Sequence, residues 1–429
     1  VQCLKNESHH DSPLSRLLIK RALRSPYQVG HKLFWTIKAE MSFAPEYQER
    51  YQVILEEYLL RAGRHREELA KQYIVCKRFE EVSHQVTLAR RTKKKKLVDE
   101  MYYKMLNTIN NQLLKKIGKF QLPLDPKVEL TTLIVSKCKY MSSKMVPLWL
   151  VFKNADPQAP PYKVIFKTGD DLRQDILTLQ MLEVMNQIWM QEGMDMRLKI
   201  YRVIATGTNR YGAGVGMIQV VDSASTTSDI QADYGGGAQG AFNANVLVEY
   251  LQDNNVDWKR TPRDNFTRSC AGYCVATLVL GIGDRHNGNI MCTKDGHLFH
   301  IDFGHFLGNF KHKLGFKRER TLFVFTPEMA QVIGESQKAP EYKKFLKMCK
   351  GAYRLVRLRA DLLEMLFILM TSAGMPELVE VNDIKYLRGQ LHLNMTDDRS
   401  GKHLETLIER SRANIYKKID NYIHIWKHG

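Results

Sequence analysis

One stretch of the chain, residues 281–305 (GIGDRHNGNIMCTKDGHLFHIDFGH), limits most strongly what the chain can fold into. Within it, two short apolar runs at 289–292 and 297–301 flank the tetrapeptide TKDG. An Asp-Gly pair between two such runs is typical of a tight β-hairpin turn. We therefore predict a hairpin that holds Asn289 just before its first strand and Asp302 just after its second strand, so that the two side chains converge.

Asn289 and Asp302 are predicted metal ligands. Mg²⁺ prefers oxygen donors, usually one or two carboxylates together with nucleotide phosphates and waters. In the catalytic loop of protein kinases, a base Asp precedes a metal-binding Asn by five positions, and a later DFG tripeptide supplies the second metal ligand. Asp284 has that spacing from Asn289, and DFG follows at 302–304. The pattern predicts phosphoryl transfer from Mg·ATP, with Mn²⁺ as an alternative metal. The order DRH in place of HRD argues against an ordinary protein kinase.

Three motifs together resemble the class I phosphoinositide 3-kinase catalytic subunits: the DRH loop, DFGH at 302–305 and GDDLRQD at 169–175. The resemblance extends over nearly the whole chain, including SCAGYCVATLVLGIGDRHNGNIM and LFHIDFGHFLGNFK. It implies an α+β, bilobal kinase-like fold, with an antiparallel sheet in the small lobe, a mainly helical large lobe and an α-helical repeat segment before them. The implied reaction is ATP-dependent phosphorylation of the 3-hydroxyl of phosphatidylinositol 4,5-bisphosphate, and also of phosphatidylinositol and its 4-phosphate.

The chain is predicted to have three parts. Apolar residues at helical spacing, broken at Ser25-Pro26, indicate short packed helices over 1–62, the end of the helical scaffold domain. Linker helices and strand-like runs such as 148–152 and 200–205 follow in the small lobe, 63–221. Long helices and the hairpin belong to the large lobe, 222–429. The chain begins with Val1 and not Met, so we expect it to be part of a longer protein.

The resemblance also implies a nucleotide site. Lys167 would contact the α-phosphate of ATP, and Asp175 would lie deep in the pocket beside Tyr201. A loop at 141–147 would cover the phosphates, Trp149 would form an apolar wall above the adenine, and a hinge at 218–221 would pair with the adenine edge through its backbone. Gln219 replaces the usual Glu of the hinge, a change that main-chain pairing tolerates. The remaining predicted nucleotide residues are Met141, Ser143, Lys144, Ile165, Ile218, Val220, Val221, Ile301 and Asp302.

Two groups compete for the role of general base. Asp284 has the protein-kinase spacing, whereas a histidine such as His286 has an ordinary pKa of about 6.5, which suits proton abstraction at neutral pH. We favour His286 as base or proton shuttle, with Asp284 orienting it or the inositol hydroxyl, and the sequence leaves both open. His305 is expected to interact with the γ-phosphate. The predicted catalytic set is Lys167, Asp284, His286, Asn289, Asp302 and His305.

The segment after DFG predicts the choice of lipid. Residues 311–320 (KHKLGFKRER) carry five Lys or Arg against one Glu, and such cations bind phosphate strongly. Two clusters, Lys311 with Lys313 and Lys317 with Arg318 and Arg320, match the class I pattern for headgroups phosphorylated at two ring positions.

Near the C-terminus, the composition of 415–426 fits either an interfacial helix or a helix packed on the large lobe.

Composition limits the partners. The net charge of +18 predicts an anionic partner, and no nucleic-acid-binding signature is visible, so a phosphoinositide membrane surface is favoured over nucleic acid. Seven scattered cysteines indicate reduced thiols in a cytoplasmic protein, and no apolar run is long enough to span a bilayer. We expect peripheral recruitment to the plasma membrane, and a regulatory or adaptor subunit and a small GTPase that bind through regions upstream of this chain.

Two alternatives stay open. A protein Ser/Thr kinase of the related large-kinase family shares the inverted loop, but two basic clusters after DFG are not expected there. A catalytically dead signalling scaffold would not need Lys167, Asp284, His286, Asn289 and Asp302, all of which are present.

Overall fold

The computed structural model of the chain describes residues 1–143, 145–235, 243–309, 312–313, 316–317, 321–334 and 336–413. These residues form two compact units. The first unit comprises Val1–Ile176, Tyr201–Val220 and Ser372–Gly374, and the second comprises the rest of the described chain from Leu177 onward. The division into three domains that the sequence predicts remains a proposal.

Helices make up the first part of the first unit. Ser12 begins the first helix with a capping box, in which its side chain accepts from Ser15 N and Ser15 Oγ accepts from Ser12 N, and Pro13 occupies the first turn. The helices are α1 (Pro13–Arg24), α2 (His31–Phe43), α3 (Gln48–Arg61), α4 (Arg64–Thr92), α5 (Lys95–Ile109) and α6 (Lys115–Ile117).

An antiparallel sheet of seven strands follows in the same unit. The strands are β1 (Phe120–Leu122), β2 (Asp125–Leu133), β3 (Lys139–Tyr140), β4 (Leu148–Asn154), β5 (Tyr162–Thr168), β6 (Val203–Thr208) and β7 (Gly214–Gln219). Their order in the sheet is β1-β2-β4-β5-β7-β6, with β3 paired to β4. Helix α7 (Arg173–Gln191) lies in sequence between β5 and β6.

The two faces of this sheet differ in burial. On one face Phe152 and Phe166 are fully buried, and each ring centroid lies 5.9 Å from that of Phe79 on α4. Because side chains alternate along a strand, the neighbours of these residues point to the opposite face. The long helix α4 therefore packs on the face that carries Phe152 and Phe166, whereas Trp149, Ile165 and Ile218 on the opposite face are half-buried.

The second unit is mainly helical and carries small pieces of sheet. Its helix α10 (Thr261–Leu280) is buried at every residue from Ser269 onward, which explains why this half of the helix carries no charged residue on any side. The helices are α8 (Thr227–Tyr234), α9 (Val246–Asn254), α10 (Thr261–Leu280), α11 (Pro327–Ile333), α12 (Pro340–Arg357), α13 (Ala360–Met370), α14 (Lys385–Leu391) and α15 (Asp397–Arg412). The strands are β8 (Ala224–Thr226), β9 (Ile290–Thr293), β10 (Leu298–His300), β11 (His312–Lys313) and β12 (Phe316–Lys317).

The predicted α+β class is confirmed: helices precede a mixed segment of antiparallel sheet and helices. One detail of the prediction was wrong: the strand expected at 200–205 begins only at Val203. Strand β8, which was not predicted, pairs with β9. No helix among the described residues has the length and apolar character to cross a membrane.

The buried His65 should make the first unit less stable in acid. The His65 ring contacts the Tyr58 hydroxyl at 2.7 Å, and burial, followed by the nearby His31, lowers the pKa of His65 to about 4. The unfolded chain therefore takes up this proton first, so the stabilisation is complete above pH ~6.5 and is lost as pH falls toward 4. Between pH 7.5 and 5, protonation of His65 should lower the free energy of unfolding by about 2 kcal/mol. We expect the His65→Gln variant to lose that much less stability than the wild type over this pH range, measured by urea denaturation. An equal pH dependence in the two proteins would contradict this assignment.

Candidate active site

The predicted hairpin is confirmed in the second unit. Strands β9 and β10 pair antiparallel, with Ile290 opposite His300 and Cys292 opposite Leu298. The Ile301 amide donates to the Asn289 carbonyl at 3.0 Å, so these two residues face each other at the open end of the hairpin. Asp302 is the next residue along the chain. The hairpin thus brings the backbones of the two predicted metal ligands together.

Arg285 holds this end of the hairpin to the preceding loop. Its guanidinium is buried and donates to four main-chain carbonyls: Gly283 at 2.8 Å, Ile301 at 2.6 Å, Asn289 at 3.5 Å and Asp302. Arginine suits this task because its planar group directs several N–H bonds in fixed directions. Sequence reasoning treated Arg285 only as the middle residue of DRH and missed it as the residue that joins Asp284, Asn289 and Asp302.

Replacing Arg285 with lysine should therefore destabilise the second unit. Lysine keeps the charge but cannot reach four diverging carbonyls, so several of these buried acceptors would lose their partner. We expect the free energy of unfolding to fall by about 3 kcal/mol or more, measured by urea denaturation. The matched control is Arg260→Lys, because the Arg260 side chain is 85% exposed and pairs with the nearby Asp257 carboxylate. Equal stability of the two variants would show that the Arg285 contacts contribute little.

The segments on either side of the site are tied together in a second place. The Leu307 and Gly308 amides donate to the Leu280 and Gly281 carbonyls at 2.8 and 3.1 Å. Gly281 ends α10 with φ +60°, and a Cβ there would lie 2.4 Å from both Gly308 N and the Tyr386 ring. Only glycine fits this close contact. The end of a buried helix thus fixes the start of the DRH loop.

Side-chain exposure alternates along the DRH loop. Asp284, His286 and Gly288 are half-exposed, whereas Arg285, Asn287 and Asn289 are buried. The buried Asn287 bonds to Gln231 of α8, and its carbonyl accepts from Thr227 Oγ1 at 3.0 Å. The alternation leaves Asp284 and His286 as the reactive side chains that solvent can reach.

The His286 ring has a defined hydrogen bond on one side. The Gly288 amide donates to His286 Nδ1 at 3.1 Å. Because Nδ1 accepts, the neutral ring carries its proton on Nε2. This bond matters for the choice of base, since the Nε2 of such a ring donates a hydrogen bond and does not accept one.

Asn289 and Asp302 are chemically suited to hold Mg²⁺. Asn289 is buried, and its Nδ2 donates to the Asp284 carbonyl at 3.0 Å, so that Oδ1 is the amide atom left to act as a ligand. Asp302 has φ +59°, a left-handed conformation that Asp tolerates better than most residues. One carboxylate and one amide oxygen match the donors that Mg²⁺ uses beside nucleotide phosphates.

His305 is held by an acidic residue that sequence reasoning missed. Its Nδ1 lies 2.7 Å from Glu377 Oε1, and the other oxygen of that carboxylate accepts from the Phe306 amide at 2.8 Å. Glu377 lies in the MPEL segment far along the chain, with no spacing that links it to DFGH. The contact orients the ring predicted to meet the γ-phosphate.

The predicted adenine-binding residues share one face of the first unit's sheet. Trp149 lies opposite Ile165, and Ile165 lies opposite Ile218, so the three side chains form a row across β4, β5 and β7. All three are half-exposed on the face away from α4. Lys167 follows Ile165 on the same face, opposite Gly216, and forms an ion pair with Asp170. A flat apolar surface with an adjacent cation is suited to a nucleotide.

The other nucleotide predictions fall on both units. Asp175 and Tyr201 are buried in the first unit. In the predicted phosphate loop, Met141 N donates to Pro147 O at 2.8 Å, and the Ser142 and Ser143 carbonyls accept from Arg90 at 3.0 and 3.1 Å. Val220 also belongs to the first unit, while Val221 and Ile301 belong to the second.

In the predicted hinge, Gln219 is an acceptor as well as a donor. Its side-chain oxygen accepts from the main-chain N–H of Arg202 at 3.0 Å, and its main-chain N–H donates to the Arg202 carbonyl at 2.8 Å. Acceptance through Oε1 is a role that a glutamate could also fill, which is consistent with the expectation that the replacement of Glu is tolerated.

Several predicted residues lie outside what the structure describes. Lys144 of the phosphate loop and Lys311, Arg318 and Arg320 of the lipid clusters are not among the described residues, and the C-terminal segment 415–426 is not either. For Lys313 and Lys317 only the backbone is described, in strands β11 and β12. The two basic clusters therefore remain sequence predictions.

Comparison with known proteins agrees with these motifs. Residues 161–380 match the family described as phosphatidylinositol 3- and 4-kinase, and residues 1–71 match the accessory (PIK) domain of the phosphoinositide 3-kinase family. The chain is 44% identical over its full length to phosphatidylinositol 3-kinase 2 of Dictyostelium discoideum, covering 22% of that protein. It is 42% identical to phosphatidylinositol 3-kinase 1 of the same organism, covering 26% of it.

A human relative gives a similar result. The chain is 39% identical, over 99% of its length, to the phosphatidylinositol 4-phosphate 3-kinase C2 domain-containing subunit beta, and covers 25% of that protein. The chain thus spans about a quarter of the length of the curated relatives it matches. With the family match covering more than half of its residues, the chain belongs to the phosphatidylinositol 3- and 4-kinase family and contains an accessory helical domain followed by a kinase domain.

Proposed function

We propose that this chain transfers the γ-phosphoryl group of ATP to the 3-hydroxyl of phosphatidylinositol lipids. The observation that carries the proposal is the Arg285-braced hairpin, which sets Asn289 and Asp302 side by side next to the DRH loop in a member of this family. The relatives are named as 3-kinases, which supports a lipid acceptor over a protein acceptor. A scaffold without activity would have no need for this arrangement.

Each catalytic residue has a proposed task that follows from its chemistry. Mg²⁺ held by Asn289 and Asp302 would neutralise charge on the transferring phosphoryl group. Lys167 contacts the α-phosphate as a point charge, and His305, oriented by Glu377, donates to the γ-phosphate. Together these groups position and neutralise the triphosphate, which is most of what phosphoryl transfer requires.

Proton transfer is assigned to Asp284 and His286 together. Since Gly288 occupies His286 Nδ1, the ring presents an N–H at Nε2, which suits donation to the developing charge. Asp284 then becomes the better first acceptor of the hydroxyl proton. Proton abstraction by His286 requires the ring to give up the Gly288 bond or to turn over, and so remains the alternative.

The preferred acceptor is proposed to be phosphatidylinositol 4,5-bisphosphate, as in class I enzymes. Its support is the density of cations at 311–320, five against one acid, in the segment after DFG. The name of the human relative favours phosphatidylinositol 4-phosphate as the second candidate.

The protein is proposed to work in the cytoplasm and to bind the plasma membrane peripherally, with a regulatory subunit and a small GTPase recruited by other regions of a longer protein.

The test is one reaction with labelled ATP, Mg²⁺, vesicles that contain the three phosphoinositides, and a protein substrate. We expect label in the lipid fraction, and chromatography of the deacylated headgroups should place it at the 3-position. Label at the 4-position would contradict the 3-kinase assignment. Label on the protein alone would favour the large-kinase alternative, and no label on either would favour a scaffold.

Removing the two basic clusters should change the choice of lipid. We expect alanine at Lys311, Lys313, Lys317, Arg318 and Arg320 to lower turnover of the bisphosphate by about tenfold or more, because each lost cation removes a charge-assisted contact to a ring phosphate. Turnover of unphosphorylated phosphatidylinositol should fall much less. Both rates would be measured on vesicles of equal surface charge.

The matched control removes the same number of charges elsewhere. Alanine at the exposed Arg91, Lys93, Lys94, Lys95 and Lys96 should lower the two rates in the same proportion, if at all, through weaker attraction to the vesicle. Retention of bisphosphate preference in the cluster variant would contradict the role of 311–320.

A further inference from the structure

A buried ionic network connects the GDDLRQD segment to the accessory helices within the first unit. Glu40, near the end of α2, is buried, and its two oxygens lie 3.3 Å from Lys5 Nζ and 3.8 Å from Arg173 Nη1. The Lys5 and Arg173 side chains are only 3% and 12% exposed. Placing two cations and a carboxylate in the interior costs several kcal/mol of desolvation per ion, so this network is an expensive way to obtain stability alone.

Arg173 makes contacts in three directions. It donates from Nη1 to the Ala373 carbonyl at 2.7 Å, and its guanidinium lies 3.7 Å from the centre of the Phe43 ring on α2. Towards its own segment, Nε and Nη2 donate to the Asp171 carboxylate at 3.0 and 2.8 Å. The Arg173 amide also donates to Asp171, at 3.0 Å. The guanidinium therefore links α2, the 372–374 segment and the GDDLRQD turn.

The two adjacent acids of that turn have different partners. Asp171 is committed to Arg173 through three donors, whereas Asp170 faces Lys167. The turn itself is clamped at its other end, because the Gly169 and Asp170 amides donate to the Gly214 carbonyl at 2.8 and 3.3 Å. A Cβ at Gly214 would lie 2.5 Å from the Asp170 carbonyl, so the backbones are in direct contact. The position of Asp170 beside Lys167 thus depends on Gly214 on one side and Arg173 on the other.

We propose that Arg173 is a positioning residue. By hydrogen-bonding Asp171 and forming an ion pair with Glu40 of the accessory domain, it fixes the turn that places Asp170 beside Lys167, and so gives the accessory helices control over triphosphate binding. The inference rests on the proposed function in that Lys167 is taken to bind ATP. It assigns to the accessory domain a part in nucleotide affinity that is separate from packing. It also predicts that Asp171 is neither a metal ligand nor a base.

The test compares carboxylate-to-amide variants of the full chain. Glu40→Gln keeps the shape of the side chain but removes the charge opposite Arg173, and the control Asp397→Asn does the same opposite Arg357, a 7% exposed arginine in the second unit. We expect Glu40→Gln to raise the Kd of Mg·ATP and the KM for ATP by about five- to tenfold, with kcat changed by less than about twofold. Asp397→Asn should lower the Tm without changing either nucleotide constant.

Two further variants separate positioning from stability. Arg173→Met should raise the Kd as Glu40→Gln does, and the double variant should be no worse than the more severe single variant, because both break one connection. Arg173→Lys should restore part of the affinity. If Arg173→Met does not fold, the two single variants Glu40→Gln and Arg173→Lys still test whether Arg173 controls nucleotide affinity. Wild-type Kd and KM in Glu40→Gln with a lowered Tm would overturn the proposal, and so would additive losses in the double variant.

Direct measurement of Mg·ATP binding keeps this inference separate from the proposed reaction. If the wild-type chain binds Mg·ATP but labels no lipid, the lipid-kinase function fails while the effect of Glu40→Gln on the Kd still tests the network. If the wild-type chain binds no Mg·ATP, the positioning role of Arg173 is overturned together with the function.

Discussion

Asp302→Asn is expected to lower kcat for lipid phosphorylation by about a thousandfold or more, because it removes the charged member of the predicted metal pair. The substitution is close to isosteric, and Asn tolerates the left-handed backbone that Asp302 adopts at φ +59°. The Arg285 bond to residue 302 uses the main-chain carbonyl and is retained. The loss should therefore be chemical and should not reflect unfolding.

ATP affinity measured with and without Mg²⁺ tests whether the loss of turnover in Asp302→Asn comes from lost metal binding. Wild-type protein should bind ATP more tightly with Mg²⁺ than without it, and Asp302→Asn should lose most of that difference while it keeps the metal-free affinity. Asp295→Asn is the matched control, since Asp295 is 63% exposed in the turn of the same hairpin and bonds to Thr293. That variant should retain near wild-type turnover. Turnover of Asp302→Asn within about tenfold of wild type would show that Asp302 is not a required ligand.

The hairpin was predictable because its signals are local. An Asp-Gly turn between two apolar runs determines the pairing of β9 with β10, and no distant residue is needed to explain it. Trp149, Ile165 and Ile218 were instead assigned to the nucleotide site by the family resemblance, and strand pairing sets them in one row. This row depends on the order of the strands in the sheet, which the sequence pattern does not predict.

The contacts that brace the site were not predictable in the same way. Arg285 bonds to backbone carbonyls, and every residue has a carbonyl, so no residue type in the sequence marks its partners. Glu377 reaches His305 from a distant segment, and Glu40 reaches Arg173 from another. Such pairs arise only when the fold brings remote segments together, and neither member has a spacing that identifies the other.

Strand β8 was not predicted from the sequence either. Ala224, Ser225 and Thr226 are short or polar and resemble a loop, yet they pair in register with Thr293, Cys292 and Met291. Its partner strand β9 is buried, and β8 pairs with the edge of β9 that lies opposite β10. Tertiary context therefore overrode a weak local preference, as is common for short strands.

His286→Ala is expected to lower kcat by about 10² to 10⁴ while the Kd of Mg·ATP changes little, since the ring acts on the reacting groups and not on nucleotide affinity. His286 is half-exposed, so its truncation should not destabilise the second unit greatly. The buried neighbour Asn287, which bonds to Gln231 and Thr227, should keep the loop in place. Rates would be measured on lipid vesicles and affinities by direct titration. Turnover within about tenfold of wild type would remove His286 from the catalytic set.

The pH dependence of wild-type kcat/KM separates the two roles that remain for this residue. A histidine base must be neutral to act, so the rate would fall about tenfold per pH unit below the ordinary histidine pKa of about 6.5. A carboxylate base stays ionised well below that pH. Because Gly288 directs the His286 proton to Nε2, we expect Asp284 to accept the substrate proton and the rate to hold nearly constant from pH 8 down to about 6. A steep fall in acid that the wild type shows and His286→Ala lacks would instead identify His286 as the base, with a ring that leaves Gly288 during turnover.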